Sequence, residues 1–306
     1  METYNILNLN NEITSSPENL IKKCEEKFNN QLDKLIYDIE NNDYDEKVIL
    51  ISGPSCAGKT TFANLLEKKL INNGFNIVTI QMDNFFIDRA KRKRLKNGEE
   101  DFESLNIVNL KQMKNCFKEL FKNKTAMFPI YDFNKCINIE NQIKIEINNK
   151  SIIIFEGIHA LNPKLYKSLD TKNIYKIFIT NEDHYSYLDS SISAREMRLI
   201  RRIVRDREKR NFKPRETFDI WHNIVSAENE YILPFKSKAD FIMDSSFAYE
   251  LGLYTNPLKE MKNEDPELFA SAPFLETATQ ILPIDKALVP ENSLMWEFLQ
   301  KIKADK

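Results

Sequence analysis

Residues 53–60 read Gly53-Pro54-Ser55-Cys56-Ala57-Gly58-Lys59-Thr60, the G-x-x-x-x-G-K-[ST] spacing of a phosphate-binding loop. Glycines at the first and sixth places let backbone N–H groups curl toward an anion. Lys59 is long enough to reach the β- and γ-phosphates of a nucleotide, and the Thr60 hydroxyl is a hard ligand for Mg²⁺. The expected cradle is Gly53, Ser55, Ala57, Gly58, Lys59, Thr60 and Thr61. Residues 47–52 before it are an aliphatic run suited to a buried strand. Residues 61–70 after it carry Phe62, Leu65, Leu66 and Leu70 at helical spacing. A helix starting there adds its positive dipole end to the anion site. A glycine turn that matches by accident would not need these flanks.

Two carboxylates stand where strands are expected to end. Asp83 follows a strand finishing near Ile80, and Glu156 follows the run Ile152–Phe155. Ligands in open α/β sheets bind beyond the carboxyl ends of strands. Phosphoryl transfer to an alcohol asks for one acid to accept the hydroxyl proton and another to hold Mg²⁺ or its water. Asp83 with Lys59 forms the expected catalytic pair, and Thr60 with Glu156 the expected metal site. Either acid alone is equally a polar strand end.

Residues 194–210 bring seven arginines to one helical segment. Ile200, Ile203 and Val204 share a face, with Arg198, Arg201, Arg202 and Arg205 opposite. Like charges at these spacings repel by a few tenths of a kcal/mol per pair, with Glu196, Asp206 and Glu208 in position to relieve part of it. Such a row is a solvated helix face or a clamp on transferring phosphate. Cys56 reads as a small filler. Phe85, Phe86, Tyr131 and Phe133 are core packing or a stacking surface.

The elements that must position these groups alternate. Strands are expected at 47–52, 75–80, 152–155, 175–179 and 240–243, with helices between them. This argues an α/β fold with a mainly parallel sheet covered on both faces. Residues 127–133 and 142–147 alternate apolar and polar, the mark of a hairpin or meander insertion. Residues 1–15 read as polar and frayed, and Ser16-Pro17-Glu18 starts a helix whose stripe runs from Leu20 to Ile39. Residues 41–46 read as a linker. The expected division is 1–46, a core over 47–244 with a hairpin near 125–150 and an arginine lid near 194–215, and a helical appendage over 245–306 broken by Pro257, Pro266, Pro273, Pro283 and Pro290.

Bulk properties narrow the partners. A formal charge of −2 gives no general pull toward nucleic acid or an acidic membrane. No apolar run approaches a membrane span, and the start of the chain lacks the pattern of a secretory signal. Four scattered cysteines (24, 56, 116, 136) suit a reduced, cytoplasmic setting, and the histidines at 159, 184 and 222 form no zinc cluster.

Together the motifs resemble those of the uridine kinase/phosphoribulokinase family of P-loop kinases, in its longer bacterial uridine kinase-like form. The resemblance runs from about 47 to 245 through GPSCAGKTTFA, QMDNFF, DFE at 101–103, PIYDF at 129–133, IIIFEGIHAL at 152–161 and RLIRRIVRDREKR at 198–210. It implies that Asp83 is the base for a ribose 5′-hydroxyl and that Asp101 and Arg198 grip ribose hydroxyls. It implies that Tyr131 and Phe133 hold a nucleobase, that Arg201 and Arg205 close over ATP, and that Glu156 serves the metal. The residues after PIYDF are Asn134-Lys135-Cys136, where nucleoside-phosphorylating members carry a histidine.

The expected activity is therefore transfer of a γ-phosphate from ATP, with Mg²⁺, to a hydroxyl on a small molecule, foremost the 5′-hydroxyl of uridine or cytidine. A sugar, sugar phosphate or pantothenate acceptor stays open. A phosphorylated acceptor would need basic residues near Asp101 and Tyr131, where Lys135 is the one evident candidate. A non-catalytic ATP-binding regulator and a nucleic-acid binder using the arginine helix are the rivals. The oligomeric state, a homo-oligomer included, is left open.

Overall fold

The computed structural model describes residues 2–41, 48–94, 98, 100–101, 103–148, 150–169 and 173–300. The linker expected over 41–46 lies, apart from Asn41, outside the described residues, as does Phe102 of the DFE segment. In chain order the strands are β1 (Thr3–Asn5), β2 (Val48–Ser52), β3 (Asn76–Gln81), β4 (Thr125–Asp132), β5 (Ile137–Glu146), β6 (Ser151–Glu156), β7 (Ile174–Thr180), β8 (His184–Tyr187), β9 (Ser190–Ile192) and β10 (Phe241–Asp244). The helices are α1 (Ile6–Ser15), α2 (Pro17–Asn41), α3 (Lys59–Asn72), α4 (Leu110–Asn123), α5 (Pro163–Tyr166), α6 (Ala194–Arg210), α7 (Pro214–Asp219), α8 (Trp221–Tyr231), α9 (Glu250–Glu264), α10 (Pro266–Ser271) and α11 (Pro273–Ala278).

Five strands form a parallel sheet in the order β10-β7-β2-β6-β3. Strand period sends alternate side chains to opposite faces. Ile49 and Ile51 of β2 join one apolar cluster with helices α1, α2, α3, α6 and α9. Val48 and Leu50 join a second cluster with α4 and the hairpin. Both faces of the central strand are therefore covered, which is why its sequence is continuously apolar rather than alternating. β4 and β5 pair antiparallel, with a register shift between Phe128 and Ile130. Pro129, which has no N–H to give a ladder, sits at that shift.

Two expectations are corrected. Residues 3–15 are not frayed: β1 pairs in parallel with β8, and α1 buries Ile6, Leu9 and Ile13. The polar asparagines that suggested disorder lie between those apolar positions. Pro257 does not break its segment but lies inside α9, whose Leu253, Leu258 and Met261 are buried. Burial of that face outweighs the hydrogen bond a proline removes. Pro266 and Pro273 open α10 and α11, where a missing N–H costs nothing.

The arginine helix departs most from its expected form. Its start is fixed by a capping box, Ser193 with Glu196. Arg198 and Arg201 do not lie on a solvated face; both are buried, Arg201 completely. Arg201 donates from Nε and Nη2 to Glu250 of α9 at 2.7 and 3.0 Å and from Nη2 to the Ser245 carbonyl at 2.6 Å. Arg198 makes a bidentate pair with Glu228 of α8, 2.7 Å on each arm. The 3.6-residue pattern does not show where two carboxylates from distant helices will arrive.

Truncating one member of a fully buried ion pair leaves the other unpaired and costs about 3–5 kcal/mol. Arg201→Met is expected to lower the unfolding free energy by about that much in urea denaturation. Arg201→Met/Glu250→Met is expected to recover more than half of the loss, because it leaves no orphaned charge.

Candidate active site

The carboxyl ends of adjacent strands deliver the reactive groups to one edge of the sheet. The glycine loop follows β2, Asp83 lies two residues past β3, and Glu156 ends β6. Register sets Glu156 level with Ile51 of β2 and Gln81 of β3. A Cβ at Gly53 would stand 2.0 Å from the Ile179 carbonyl oxygen, so only glycine lets the loop back onto β7. Gly58 takes a φ of 90° at the start of α3. Cys56 holds a left-handed φ of 59° in spite of its side chain. Its carbonyl accepts a hydrogen bond from Arg201 at 3.2 Å, the Ser55 carbonyl accepts from Arg198 at 3.2 Å, and the Ser55 hydroxyl faces Arg202 at 2.8 Å. Helix α6 thus grips the outer bend of the loop with three guanidinium groups.

Lys59, Thr60, Asp83, Glu103, Glu156, Arg202, Arg205 and Tyr131 are among the walls of a cleft of about 630 Å³. Lys59 arches back across the loop, its ammonium donating to the Pro54 carbonyl at 3.0 Å. The Thr60 hydroxyl donates to the Glu156 carboxylate at 3.1 Å. This pair of hard oxygen donors suits Mg²⁺, which keeps most of its shell for phosphate and water. Among the described residues no cluster of three His, Cys, Asp or Glu gathers that would cage a metal. Phe86, Tyr131 and Phe133 form a chain of edge-on rings, with centroids 5.7 and 5.0 Å apart. Arg92 lies over the first two rings and donates to the Tyr131 hydroxyl at 2.8 Å. Phe85, its neighbour, turns instead into the core against Phe117 and Phe128.

A family model of the phosphoribulokinase/uridine kinase family matches residues 48–248. The chain belongs to that family, and with it to the kinases. A uridine kinase of Macrococcus caseolyticus is 31% identical over 205 residues, covering 64% of this chain and 86% of the relative. One of Ureaplasma urealyticum is 25% identical over 194 residues, covering 63% and 85%. The solved structure of a possible uridine kinase from Bacillus stearothermophilus, 17% identical, covers 71% of this chain and all of the other at a TM-score of 0.50, which speaks to fold alone. The family segment ends before α9, and so leaves out α9 and all that follows it.

Within this cleft several residues stand otherwise than expected. Arg201 does not face the cleft; it is sealed beneath the loop it supports. Arg198 is likewise spent on Glu228 and Ser55 rather than turned toward an acceptor. Arg205 does line the cleft, and its guanidinium is held by Asp206 at 2.9 Å. Asp206 also meets Arg202 and Arg210, so one carboxylate sets three cations around the opening. Asp101 folds onto its own turn, accepting from the Ser104 amide at 2.9 Å and from the Ser104 hydroxyl. The neighbouring Glu103 enters the cleft instead. The turn at Ser104 decides which acid of the DFE segment points inward.

Sequence reading also missed Arg92, Arg210 and Glu297, all on the cleft wall. A second hollow of about 440 Å³ shares Arg89, Arg92 and Cys136 with the cleft and is lined further by Lys93, Arg94, Glu100, Asp101 and Lys135. Lys135 is therefore not the one basic residue near Asp101 and Tyr131. The signal was in view as the run Lys91-Arg92-Lys93-Arg94.

Crowded acids shape the electrostatics. Burial pushes the Asp83 carboxyl up, while Lys59, Arg92 and Arg210 pull it down. Burial and then Asp83 push Glu156 up to about 7, against Lys59 and the Thr60 hydroxyl. Glu103 is raised by burial, with Arg202 and Lys59 opposing. A triphosphate entering here meets a site poised between unbalanced acids and their cations.

His159, three residues past Glu156, is fully buried with its ring edge-on to Tyr231. Burial drives the imidazole down to about 4. The unfolded chain takes up this proton near pH 6.5 and the folded chain does not, so stability present above that pH is lost as pH falls toward 4. Between pH 7 and 4.5 this accounts for about 2–3 kcal/mol of lost unfolding free energy. His159→Leu is expected to flatten that part of the decline in urea titrations run at several pH values.

Proposed function

We propose that this protein transfers the γ-phosphate of ATP to a hydroxyl of a small molecule, with the 5′-hydroxyl of uridine or cytidine the first acceptor to try. The carrying observation is that Lys59, Asp83 and Glu156 line one cleft at the carboxyl ends of β2, β3 and β6. The loop amides and Lys59 are suited to hold the β- and γ-phosphates. Thr60 and Glu156 would hold Mg²⁺, which when bound neutralises phosphate charge. Asp83 takes the proton of the acceptor hydroxyl as it attacks. Arg205, Arg202 and Arg210 face the opening and stabilise negative charge on the group in transfer. Phe86, Tyr131 and Phe133 offer the acceptor a stacking wall. A cleft of this kind, closed over both substrates, keeps water from the reacting phosphate.

A second acceptor class is favoured by one specific observation. Arg89, Arg92, Lys93, Arg94 and Lys135 line the side hollow against Glu100 and Asp101 alone. Lys135 also stands two residues after the PIYDF segment, where no histidine offers itself to a pyrimidine edge. These features suit an acceptor whose far end carries a phosphate or carboxylate.

Both readings are tested by ADP release with Mg-ATP against uridine, cytidine, sugars, sugar phosphates and pantothenate. Asp83→Asn is expected to lower kcat by roughly 10²–10⁴-fold while nucleotide binding persists; unchanged turnover removes Asp83 from the mechanism. Turnover of uridine or cytidine that is indifferent to Arg94→Ala decides for the nucleoside. Turnover confined to an anionic acceptor, with KM raised about tenfold or more by Arg94→Ala, decides for the second class.

A further inference from the structure

The C-terminal segment reaches the nucleotide loop and puts a carboxylate on it. Thr61 is in the first turn of α3, where amides have no partner within the helix and the dipole is positive. Its N–H is part of the cradle expected to hold phosphate. In the structure that N–H donates to the Glu297 carboxylate at 3.2 Å, across 236 residues of sequence. Glu297 also raises the Glu156 pKa across the cleft, so its charge is felt at the metal pair.

The position of Glu297 is built rather than incidental. It ends the 3₁₀ turn Leu294–Glu297, which Ser293 caps. The Leu294 side chain lies over Gly58, where a Cβ would come within 2.7 Å of it. Lys209 of α6 donates to the carbonyls of Trp296 and Glu297, 2.8 Å each. The Gln300 amide donates to Glu208 at 2.6 Å, and the Phe298 ring lies 4.8 Å from the Arg201 guanidinium. The turn is thus fastened to the loop at one end and to the arginine helix along its length.

We infer that Glu297 is an internal competitor for nucleotide: its carboxylate takes the Thr61 amide that a nucleotide phosphate would take, so the docked C-terminal turn and bound nucleotide exclude one another there. One donor cannot serve both anions at full strength, and two anions at hydrogen-bond range of a single N–H repel. Entry of nucleotide therefore displaces the Glu297 side chain and loosens the turn. Because Lys209 and Glu208 belong to the helix that carries Arg202 and Arg205, that loosening is transmitted to the cations facing the cleft. The turn acts as a latch that holds the cradle in reserve until nucleotide outcompetes it.

This rests on the nucleotide-binding reading above, and calorimetry separates the two. Mg-ADP and Mg-AMP-PNP are titrated into the full chain, wild type and Glu297→Gln. The variant keeps the side chain's size and removes its charge. A Kd five- to twentyfold tighter in Glu297→Gln is expected. Lys209→Met, which leaves the carboxylate but unfastens the turn, is expected to tighten binding by a smaller factor. Equal or weaker nucleotide binding in Glu297→Gln overturns the latch while leaving the nucleotide site intact. Weaker binding in Lys209→Met also overturns it. Absence of binding by every form overturns the latch together with the nucleotide reading.

Discussion

A buried ion pair holds this molecule's working edge together. Arg201 and Glu250 meet with essentially no solvent on either side chain, 0% and 1% exposed. The guanidinium has donors left after Glu250 is satisfied, and it directs them to the Cys56 and Ser245 carbonyls. One side chain therefore joins the arginine helix, the nucleotide loop, the segment after β10 and helix α9. A loop whose glycines give it freedom needs an external reference to keep its amides converged. Arg198 and Arg202 supply two more on Ser55. Ion pairs at such depth contribute less to net stability than their contacts suggest; here their yield is geometric.

The cleft itself is built from charges that do not settle among themselves. Asp83, Glu103 and Glu156 are all pushed toward their neutral forms by burial. The cations around them are partly committed, Lys59 to a loop carbonyl and Arg205 to Asp206. Such a site suits a polyanion that arrives with a divalent cation, because both kinds of uncommitted charge then find partners. Glu297 fits the same logic, since an amide at a helix start attracts whatever anion is at hand.

Segments outside the family core take part in this arrangement. α1 and α2 cover one face of the sheet, and α9 delivers Glu250. The turn at 294–297 touches the loop directly. The C-terminal region is thus an internal support and an internal ligand at once.

Much of the fold was legible along the chain. The glycine loop, its preceding strand and following helix, all five parallel strands and the hairpin follow from apolar period and turn residues. So do the positions of Asp83 and Glu156, since a carboxylate after a buried strand lies at the ligand edge of an α/β sheet. These signals are local, carried within a few turns or one strand length. What the chain order does not carry is which distant groups meet. Strand order set β6 between β2 and β3, and so brought Glu156 beside Thr60. Glu228 and Glu250, arriving from other helices, drew Arg198 and Arg201 inside, although helical period put them on an open face. A turn at Ser104 sent Glu103 rather than Asp101 into the cleft. Glu297 gave no sign until folding laid it on Thr61. Periodicity reports which side of an element is apolar, whereas the partner of a buried charge is chosen by packing in three dimensions.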